Sequence, residues 1–544
     1  MNGGEILVRT LIAHSIDTAF FVPGGTFVTV MHALSNNLNR IRPIGTRLES
    51  SAVFAADAYA GIRRRPACVF VSRAPGATNA AIGIHSAKQA SRALVLFVAN
   101  IPRPLKQREA FQEVDYTLMY TPIAKAVFDI SSFDEVSAVT ARAIELSKSG
   151  RPGPVVVVVS KDILDGRTGD STIVGPSSPV RMGPDPDAVT ESAKLIDSAT
   201  RPVIICGEMV AFEACHTQLQ TFAEKIGAPV FTAYRQQDTF PVHHRSFAGQ
   251  LGLNRTDFQD RAFEQSDLVI SVGHRMDSVT TADYSSPRAG QPLIMIHPDP
   301  SVFSQWPTQV ALGSHCRFAL EAIVRELKLP ASTARLEWRD GLHAEQTRFS
   351  DPTRGGGDSH VDMVKVVASF SRRVDPASTI ITDAGTFARW VQRYYPFSRP
   401  ATALGPISGA MGYGIPAGIG ASVAAPEQPT FVWVGDGGFL MTGHEIATIV
   451  QESLPVKIIV CDNAAWGSIL VHQHKRFPGW DYGTRLASPD FSLLAQGYGI
   501  PAFVVRKTTE FAGALDQMLS EKGPALIHLH LDPRDLSEFS GSSH

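Results

Sequence analysis

The stretch from Thr430 to Ser468 most constrains how this 544-residue chain can fold. A short apolar run, Phe431 to Val434, is followed by glycines, and a helical pattern from Leu440 to Ser453 ends before Pro455. A second buried-type strand is predicted over Val456 to Val460. A strand–helix–strand unit of this length crosses over right-handed and places its two strands parallel and close together. We therefore expect the carboxyl ends of both strands at one edge of a sheet.

Two polar residues, Asp436 and Asn463, follow these two strands. We expect them to be spatial neighbours, and both offer the hard oxygen atoms that Mg²⁺ prefers. Gly437 and Gly438 would let the backbone approach a diphosphate at the start of the next helix. Gly-Asp-Gly alone also fits an ordinary strand-to-helix turn, but the matched Asn463 favours a metal site.

The stretch resembles the metal and diphosphate motif of thiamine diphosphate (ThDP) enzymes, a Gly-Asp-Gly followed by an Asn pair at about this distance. The first Asn of the pair is Asp462 here, and the second, Asn463, is the metal ligand in that family. The resemblance implies a third metal ligand, the backbone carbonyl of Ala465. It also implies cofactor contacts next to the motif: Gly437, Gly438, Trp466 and Gly467.

Residues 1–165 alternate strand and helix patterns, which is typical of a parallel α/β sheet. A predicted strand over Thr18 to Val22 leads into the turn Pro23-Gly24-Gly25. Glu49 lies where a later strand gives way to an alanine-rich helix over Ser51 to Arg63, the position where α/β sheets place functional groups. A glutamate that favours the helix dipole is the alternative for Glu49.

The order of these motifs resembles the pyrimidine-binding domain of ThDP enzymes, in which the glutamate hydrogen-bonds the aminopyrimidine ring. The resemblance makes Glu49 the catalytic candidate. It implies three further cofactor contacts: Pro23, Gly24 and Asn79. The turn before Asn79 is similar to the family's T-S-G-P-G-A-T-N, with Arg73 and Ala74 in place of Ser-Gly. Arg73 adds a charge close to the rim of the predicted cofactor site.

Three further segments resemble the catalytic subunits of acetolactate synthase within that family. They are Arg108 to Asp115, Pro122 to Lys125, and Arg151 to Asp162. The resemblance implies that three residues line the approach of the substrate: Phe111, Gln112 and Lys161. From the residues alone, Phe111 fits a core position equally well, and Lys161 fits a solvated strand end.

A linker rich in Gly, Ser, Pro and Asp, from Gly166 to Pro186, precedes a second α/β unit predicted over 187–329. In relatives this domain carries FAD, ADP or nothing. Flavin-binding acetolactate synthases have an Arg-Phe-Asp-Asp-Arg-type segment where this chain has His274 to Ser278, so one Asp-Arg pair is missing. The missing pair favours a vestigial or empty site over one filled by FAD.

The third domain is predicted over 361–535 and begins with a strand over Thr379 to Thr382. The turn that follows, Asp383 to Phe387, contains Gly385 and Thr386 and offers backbone N–H groups to a phosphate.

The glycine-dense segment from Leu404 to Pro416 resembles the family's G-x-M-G-Y-G-x-P motif. In relatives the methionine side chain, here Met411, bends the cofactor, and the carbonyl at Gly409 holds its 4′-amino group. Core filling is the alternative for Met411.

Composition excludes several classes of function. With 50 basic and 52 acidic residues, the chain is not expected to bind nucleic acid through a general basic surface. The longest apolar runs, such as Ala93 to Ala99, are too short to cross a bilayer, and no charged-then-apolar leader precedes Gly3. The five cysteines lack metal or redox spacing, so we expect buried free thiols, no membrane and a cytoplasmic location. The predicted fold is an α/β protein of three doubly wound parallel-sheet domains.

The resemblance implies ThDP- and Mg²⁺-dependent decarboxylation of a small 2-oxo acid. Family decarboxylases commonly carry a His-His pair in the first domain and a Glu on the helix after the Asn motif. This chain has Lys106-Gln107 and Ile469 at those places, which favours acetolactate-synthase-like carboligation to a second carbonyl. A decarboxylase or 2-hydroxyacyl lyase without carboligation, and a non-catalytic ThDP-binding subunit, are the alternatives. Because the glutamate of one chain faces the cofactor of another in the family, we expect a homodimer or a dimer of dimers.

Overall fold

The computed structural model describes residues 1–167, 172–178, 180–354 and 361–533, and three six-stranded sheets form its framework. All neighbouring strands in these sheets run parallel. Buried apolar clusters cover both faces of each sheet, as parallel sheets require. The predicted fold class is therefore confirmed.

The first sheet has the strand order β2-β1-β3-β4-β6-β5. Its strands are β1 (Thr18–Phe21), β2 (Arg42–Gly45), β3 (Ala67–Val71), β4 (Leu94–Asn100), β5 (Ala126–Ile130) and β6 (Pro154–Ser160). Its helices are α1 (Gly3–Ala13), α2 (Val28–Ser35), α3 (Glu49–Arg63), α4 (Ala74–Gln89), α5 (Tyr116–Tyr120), α6 (Val136–Lys148) and α7 (Lys161–Asp165). β4 and β6 are buried at every position, which explains their unbroken apolar sequences.

The central sheet has the order β12-β11-β10-β7-β8-β9. Its strands are β7 (Pro202–Cys206), β8 (Val230–Thr232), β9 (Phe247–Gln250), β10 (Leu268–Val272), β11 (Leu293–His297) and β12 (Val310–Gly313). Its helices are α8 (Pro186–Ser198), α9 (Glu208–Phe212), α10 (His216–Ile226), α11 (Asp257–Gln265) and α12 (Cys316–Glu326), and α13 (Thr333–Phe349) follows. This is the order of dinucleotide-binding sheets, in which the chain reverses direction beside the first strand.

The third sheet has the order β14-β13-β15-β16-β18-β17, which repeats the permutation of the first sheet. Its strands are β13 (Thr379–Thr382), β14 (Ala403–Leu404), β15 (Thr430–Gly435), β16 (Val456–Asp462), β17 (Ala502–Val505) and β18 (Ala525–His530). Its helices are α14 (Met363–Ser371), α15 (Phe387–Tyr394), α16 (Gly414–Ala424), α17 (Asp436–Thr442), α18 (Ile446–Gln451), α19 (Gly467–Arg476), α20 (Phe491–Gly497) and α21 (Phe511–Ser520).

The single helix predicted over Leu440 to Ser453 is wrong, because the segment is divided into α17 and α18 by a 3₁₀ turn over Gly443–Glu445. The physical reason is a tertiary contact that local periodicity does not reveal. Glu445 is fully buried, and its Oε1 accepts hydrogen bonds from the backbone N–H groups of Arg47 at 3.0 Å and Leu48 at 3.1 Å.

The first and third domains are joined where α3 crosses α16. A Cβ at Gly420 would lie 1.9 Å from the carbonyl oxygen of Ala55, so only glycine permits this crossing. The buried Tyr413 hydroxyl, just before α16, donates a hydrogen bond to Asp57 Oδ2 at 2.7 Å. The start of α16 is thereby held against the middle of α3.

The predicted domain boundaries, 1–165, 187–329 and 361–535, stay predictions, and the last two positions of the third lie outside the described residues. The five cysteines are buried and free, as predicted. Within the described parts of the chain, no helix combines the length and the apolar composition needed to cross a membrane.

Candidate active site

The three predicted metal ligands lie on one wall of a cavity at the carboxyl edge of the third sheet. β15 and β16 are adjacent, and their register pairs Gly435 with Cys461. Asp436, Asn463 and Ala465 all line the same cavity of about 210 Å³. Asp436 Oδ2 accepts a hydrogen bond from the backbone N–H of Ala465 at 3.2 Å.

The electrostatics around Asp436 suit a bound cation. Burial raises the pKa of Asp436 to about 6, and the neighbouring Asp462 carboxylate acts in the same direction. The hydroxyl of Ser488 lies 3.2 Å from Asp436 Oδ2 and 2.8 Å from Asp462 Oδ1. A divalent ion beside Asp436 would favour its charged form. One carboxylate, one amide oxygen and one backbone carbonyl are a suitable protein share of a Mg²⁺ shell that phosphate and water complete.

Asp462 itself is held by a buried histidine. Its Oδ2 lies 3.0 Å from His528 Nε2, and its Oδ1 accepts a hydrogen bond from the backbone N–H of Ala464 at 3.0 Å. Burial alone would raise the pKa of Asp462, but the hydrogen bonds from His528 and Ser488 outweigh burial and lower it. The aspartate at this position is therefore a fixed negative charge behind the metal ligands.

Glycines allow a close approach to the backbone in this cavity. A Cβ at Gly437 would lie 2.1 Å from the ring of Trp466, and one at Gly467 would lie 3.0 Å from both Asn463 Nδ2 and Thr386 Oγ1. All the predicted cofactor contacts of the third domain line this cavity: Gly385, Thr386, Gly409, Met411, Gly437, Gly438, Trp466 and Gly467. This cradle fits an anionic diphosphate held by backbone N–H groups and a metal ion.

Asp383 organises the Met411 loop, a role that the sequence analysis missed. Its Oδ2 accepts hydrogen bonds from the backbone N–H groups of Gly412 and Gly414, both at 3.1 Å. Burial raises the pKa of Asp383 to about 6. Gly409 and Gly412 have φ of +74° and +78°, a region that L side chains rarely adopt. Met411 is thus presented by a loop that glycine and one buried carboxyl group determine.

Glu49 is the first residue of α3 and lies at the carboxyl edge of the first sheet. The side-chain amide of Asn79 donates a hydrogen bond to Glu49 Oε2 at 3.0 Å, and a Cβ at Gly76 would lie 2.9 Å from Glu49 Oε1. The Pro23-Gly24 turn contacts the end of β3, since a Cβ at Gly24 would lie 2.8 Å from the Cβ of Ser72. The residues predicted to contact the pyrimidine ring are therefore grouped after β1, β2 and β3.

The predicted substrate residues do not all lie together. The carbonyl of Phe111 accepts a hydrogen bond from Arg73 Nη1 at 3.2 Å, and the carbonyl of Gln112 accepts one from the backbone N–H of Ala74 at 3.4 Å. Phe111 is 75% exposed, so the core alternative is wrong. Lys161 instead pairs with Asp165 within α7. Among the described residues, Lys161 makes no hydrogen bond or ion pair to another predicted site residue, and its role stays a prediction.

Three protein-family models match the chain in order. They describe the N-terminal TPP binding domain, the central domain and the C-terminal TPP binding domain of thiamine pyrophosphate enzymes, over residues 1–119, 189–323 and 383–529. Thiamine pyrophosphate is another name for ThDP. This chain belongs to the thiamine diphosphate enzyme family.

Its full-length relatives include large subunits of acetolactate synthase. The chain is 28% identical to a probable acetolactate synthase large subunit of Methanococcus aeolicus, over 98% of this chain and 92% of that protein. It is 29% identical to the acetolactate synthase large subunit of Corynebacterium glutamicum, over 95% and 84%. For the isozyme 3 large subunit of Escherichia coli K12 the identity is 28%, over 96% and 92%.

A second cavity of about 1110 Å³ in this ThDP enzyme adjoins the first and shares Gly385, Thr386 and Gly409 with it. Arg235 of the central domain and His472 of α19 line it. Arg235 Nη1 donates to the carbonyl of Thr382 at 3.0 Å and fixes the end of β13, a contact that no sequence pattern indicated.

At the carboxyl edge of the central sheet, the residues that follow β7 and β10 are in close contact. Between the ends of β7 and β10, a Cβ at Gly207 would lie 2.6 Å from the Cβ of His274. His274 Nε2 lies 3.8 Å from Glu208 Oε2, and both side chains are buried. These contacts agree with the doubt about FAD, which stays a prediction.

Proposed function

We propose that this ThDP enzyme decarboxylates a 2-oxo acid and joins the remaining fragment to a second carbonyl compound, as in an acetolactate-synthase-like reaction. The observation that carries the proposal is the smaller cavity, which combines a metal-binding wall with a lack of proton donors. Asp436, Asn463 and Ala465 would hold Mg²⁺, and the surrounding glycines would hold the diphosphate. When bound, ThDP supplies a ring that accepts the electron pair of the breaking carbon–carbon bond.

Glu49 is the residue that we assign to proton transfer with the pyrimidine ring. Asn79 orients its carboxylate through the hydrogen bond at 3.0 Å, and Gly76 leaves the space beside Oε1 free for a ligand atom. Neither cavity is lined by a described residue of the first domain. Glu49 would therefore serve the cofactor of a partner chain, so the proposed active unit is a homodimer. A monomer that keeps full activity at high dilution would contradict this assignment.

Carboligation is favoured because few acids line the smaller cavity. Among the described residues that line this cavity, only Asp436 and Cys461 titrate. Asp436 would be occupied by the metal, and burial raises the pKa of the Cys461 thiol. Ile469 lines the cavity where family decarboxylases carry a glutamate. Lys106 is paired with Asp129 at 2.7 Å and is not a free donor.

One observation favours a second candidate, decarboxylation or lyase chemistry without carboligation. His472 lines the larger cavity together with Gly409, which also lines the smaller one. An imidazole in a cavity that Gly409 also lines could donate a proton to the reacting fragment and release it without carboligation. For either activity we propose a cytoplasmic location, which the five free thiols of the protein support.

Incubation with pyruvate, ThDP and Mg²⁺ separates the two candidates. Carboligation produces acetolactate, whereas protonation produces acetaldehyde. The variant His472→Gln should leave acetolactate formation nearly unchanged if the first candidate is right. Acetaldehyde as the main product, lost in His472→Gln, would establish the second. Release of neither product nor of CO₂ from any 2-oxo acid would contradict both.

A further inference from the structure

Arg73 lies on the same turn that holds the carboxylate of Glu49. The turn joins β3 to α4, and the backbone N–H of Gly76 donates to the carbonyl of Arg73 at 2.9 Å. Gly76 and Asn79, which follow within two helical turns, are the residues that contact Glu49. Arg73 is therefore attached rigidly to the edge of the proposed catalytic centre.

The loop that carries Phe111 and Gln112 contacts the side chain of Arg73. The guanidinium carbon lies 5.5 Å from the centre of the Phe111 ring, within the range of a cation–π contact. The same guanidinium donates to the Phe111 carbonyl through Nη1 at 3.2 Å. The loop is also closed on itself, since the Glu113 carboxylate accepts hydrogen bonds from the backbone N–H groups of Gln107 at 2.5 Å and Ala110 at 2.9 Å. Arg73 and the exposed Phe111 ring thus form a preformed pair.

Among the described residues, no acidic side chain neutralises the charge of Arg73. No carboxylate among the described residues lies within 4 Å of its guanidinium, whereas two nearby cations are paired, Arg103 with Asp162 at 2.8 Å and Lys106 with Asp129 at 2.7 Å. Its only hydrogen bond to a described residue is the one from Nη1, and its Nε is buried without a partner. A half-buried guanidinium with unused donors is a ready site for an anion.

The chemistry of decarboxylation decides which anion this is. The carboxylate of a 2-oxo acid that leaves as CO₂ loses its charge, so an arginine fixed upon it would stabilise the starting state and slow the reaction. The planar guanidinium instead suits a carboxylate that the substrate keeps. The exposed Phe111 ring beside it would cover the apolar carbons between the two ends of the substrate.

We propose that Arg73 binds a second, retained carboxylate of the substrate, so that this site prefers dicarboxylic to monocarboxylic 2-oxo acids. The inference rests on the proposed function, because it names the substrate class of the same site. In the homodimer, Arg73 reaches the substrate from the same subunit as Glu49.

The test compares 2-oxoglutarate with 2-oxopentanoate, which have the same number of carbon atoms and differ in the distal carboxylate. The holoenzyme should show a kcat/KM for CO₂ release from 2-oxoglutarate that is at least about tenfold higher. Arg73→Gln should lower that value about 10- to 100-fold and leave 2-oxopentanoate within about twofold, while Arg73→Lys should retain part of the preference. The unchanged 2-oxopentanoate value also shows that the variant is folded.

Arg108→Gln is the matched control, since it removes an exposed arginine from the loop that carries Phe111 and should leave the preference intact. A wild-type enzyme without preference, or an equal loss on both substrates in Arg73→Gln, would overturn the inference while leaving the proposed function in place.

If no 2-oxo acid is decarboxylated, the proposed function fails, and binding decides the inference separately. Isothermal titration of the ThDP- and Mg²⁺-loaded protein with glutarate and with pentanoate should then show tighter binding of glutarate, weakened at least about tenfold in Arg73→Gln. Equal binding of glutarate by both proteins would overturn the inference.

Discussion

The first and third sheets share one strand order, yet their carboxyl edges perform different tasks. The order β2-β1-β3-β4-β6-β5 recurs as β14-β13-β15-β16-β18-β17. In the third sheet Asp436 and Asn463, the proposed metal ligands, follow β15 and β16, whose counterparts in the first sheet are β3 and β4. In the first sheet Glu49 follows β2, whose counterpart is β14. Shared topology thus determines where polar groups can gather, and the individual residues determine what they do there.

The acidic residues at the two edges also differ in their burial and in the groups that contact them. Asp436 is buried beside a second carboxylate, which raises its pKa, whereas Glu49 is half-buried and bound by a neutral amide. We therefore propose that the third sheet binds a cation and that the first presents an acid to a ligand. Four experiments test this division of labour.

The largest effect is expected from Asp436→Ala. Without this carboxylate the third sheet should lose its hold on Mg²⁺ and therefore on ThDP. At a ThDP concentration about 100 times its Kd, cofactor binding should stabilise the wild-type protein by about 2.7 kcal/mol, and the variant should lose that increment. Thermal unfolding with and without ThDP and Mg²⁺ measures the difference. A variant that keeps the full cofactor-induced shift in thermal stability would contradict the proposed role of the third sheet in binding Mg²⁺.

Glu49→Gln should separate activation from binding. We expect turnover to fall about 10²- to 10⁴-fold, because a positioned proton-transfer group is lost, while the thermal shift with ThDP and Mg²⁺ stays as in the wild type. Steady-state kinetics and the same unfolding measurement are needed on one preparation. Unchanged turnover would remove Glu49 from the catalytic role.

Ser488→Ala tests whether the Ser488 hydroxyl supports the proposed metal ligand Asp436 in the third sheet. The hydroxyl bridges Asp436 and Asp462, so its loss should weaken Mg²⁺ binding about 10- to 100-fold, as for other groups that orient metal ligands. Calorimetric titration with Mg²⁺ in the presence of ThDP gives the affinity. Ser492→Ala is the control, since that hydroxyl contacts Asp490 instead, and an equal loss in both variants would contradict the bridging role.

The pH dependence of metal binding should be the mildest effect. Mg²⁺ binds the ionised form of Asp436, and burial raises the pKa of this group to about 6. Below that pH the carboxyl group holds a proton that the metal must displace, so the affinity should fall about tenfold per pH unit and level off above it. Free ThDP is titrated with Mg²⁺ over the same range as a control, because its phosphate also takes up protons. A protein affinity that follows the control alone would argue against Asp436.

The fold and the core of the site were predictable because the local glycine and strand patterns agree with the right-handed crossover expected of a strand–helix–strand unit. Glycines after Val434 and the right-handed crossover force Asp436 and Asn463 to one edge of one sheet. The supporting residues were not predictable in that way. Ser488 and His528 reach Asp462 from separate elements that carry no recognisable motif.

Errors arose where tertiary contacts outweighed local pattern. Glu445 interrupts an otherwise periodic helix because its carboxylate is needed by Arg47 and Leu48.

The crossing of α3 over α16 has a consequence for the proposed homodimer. α3 starts at Glu49, which would act in the neighbouring subunit's centre, and α16 starts just after the Met411 loop, which serves the centre of its own subunit. Because a Cβ at Gly420 would lie 1.9 Å from the carbonyl oxygen of Ala55, the two helices are in direct backbone contact, and in the proposed homodimer this contact would connect the two centres. A displacement of α3 or α16 at one centre of the proposed homodimer would therefore be passed to the other centre through a single subunit.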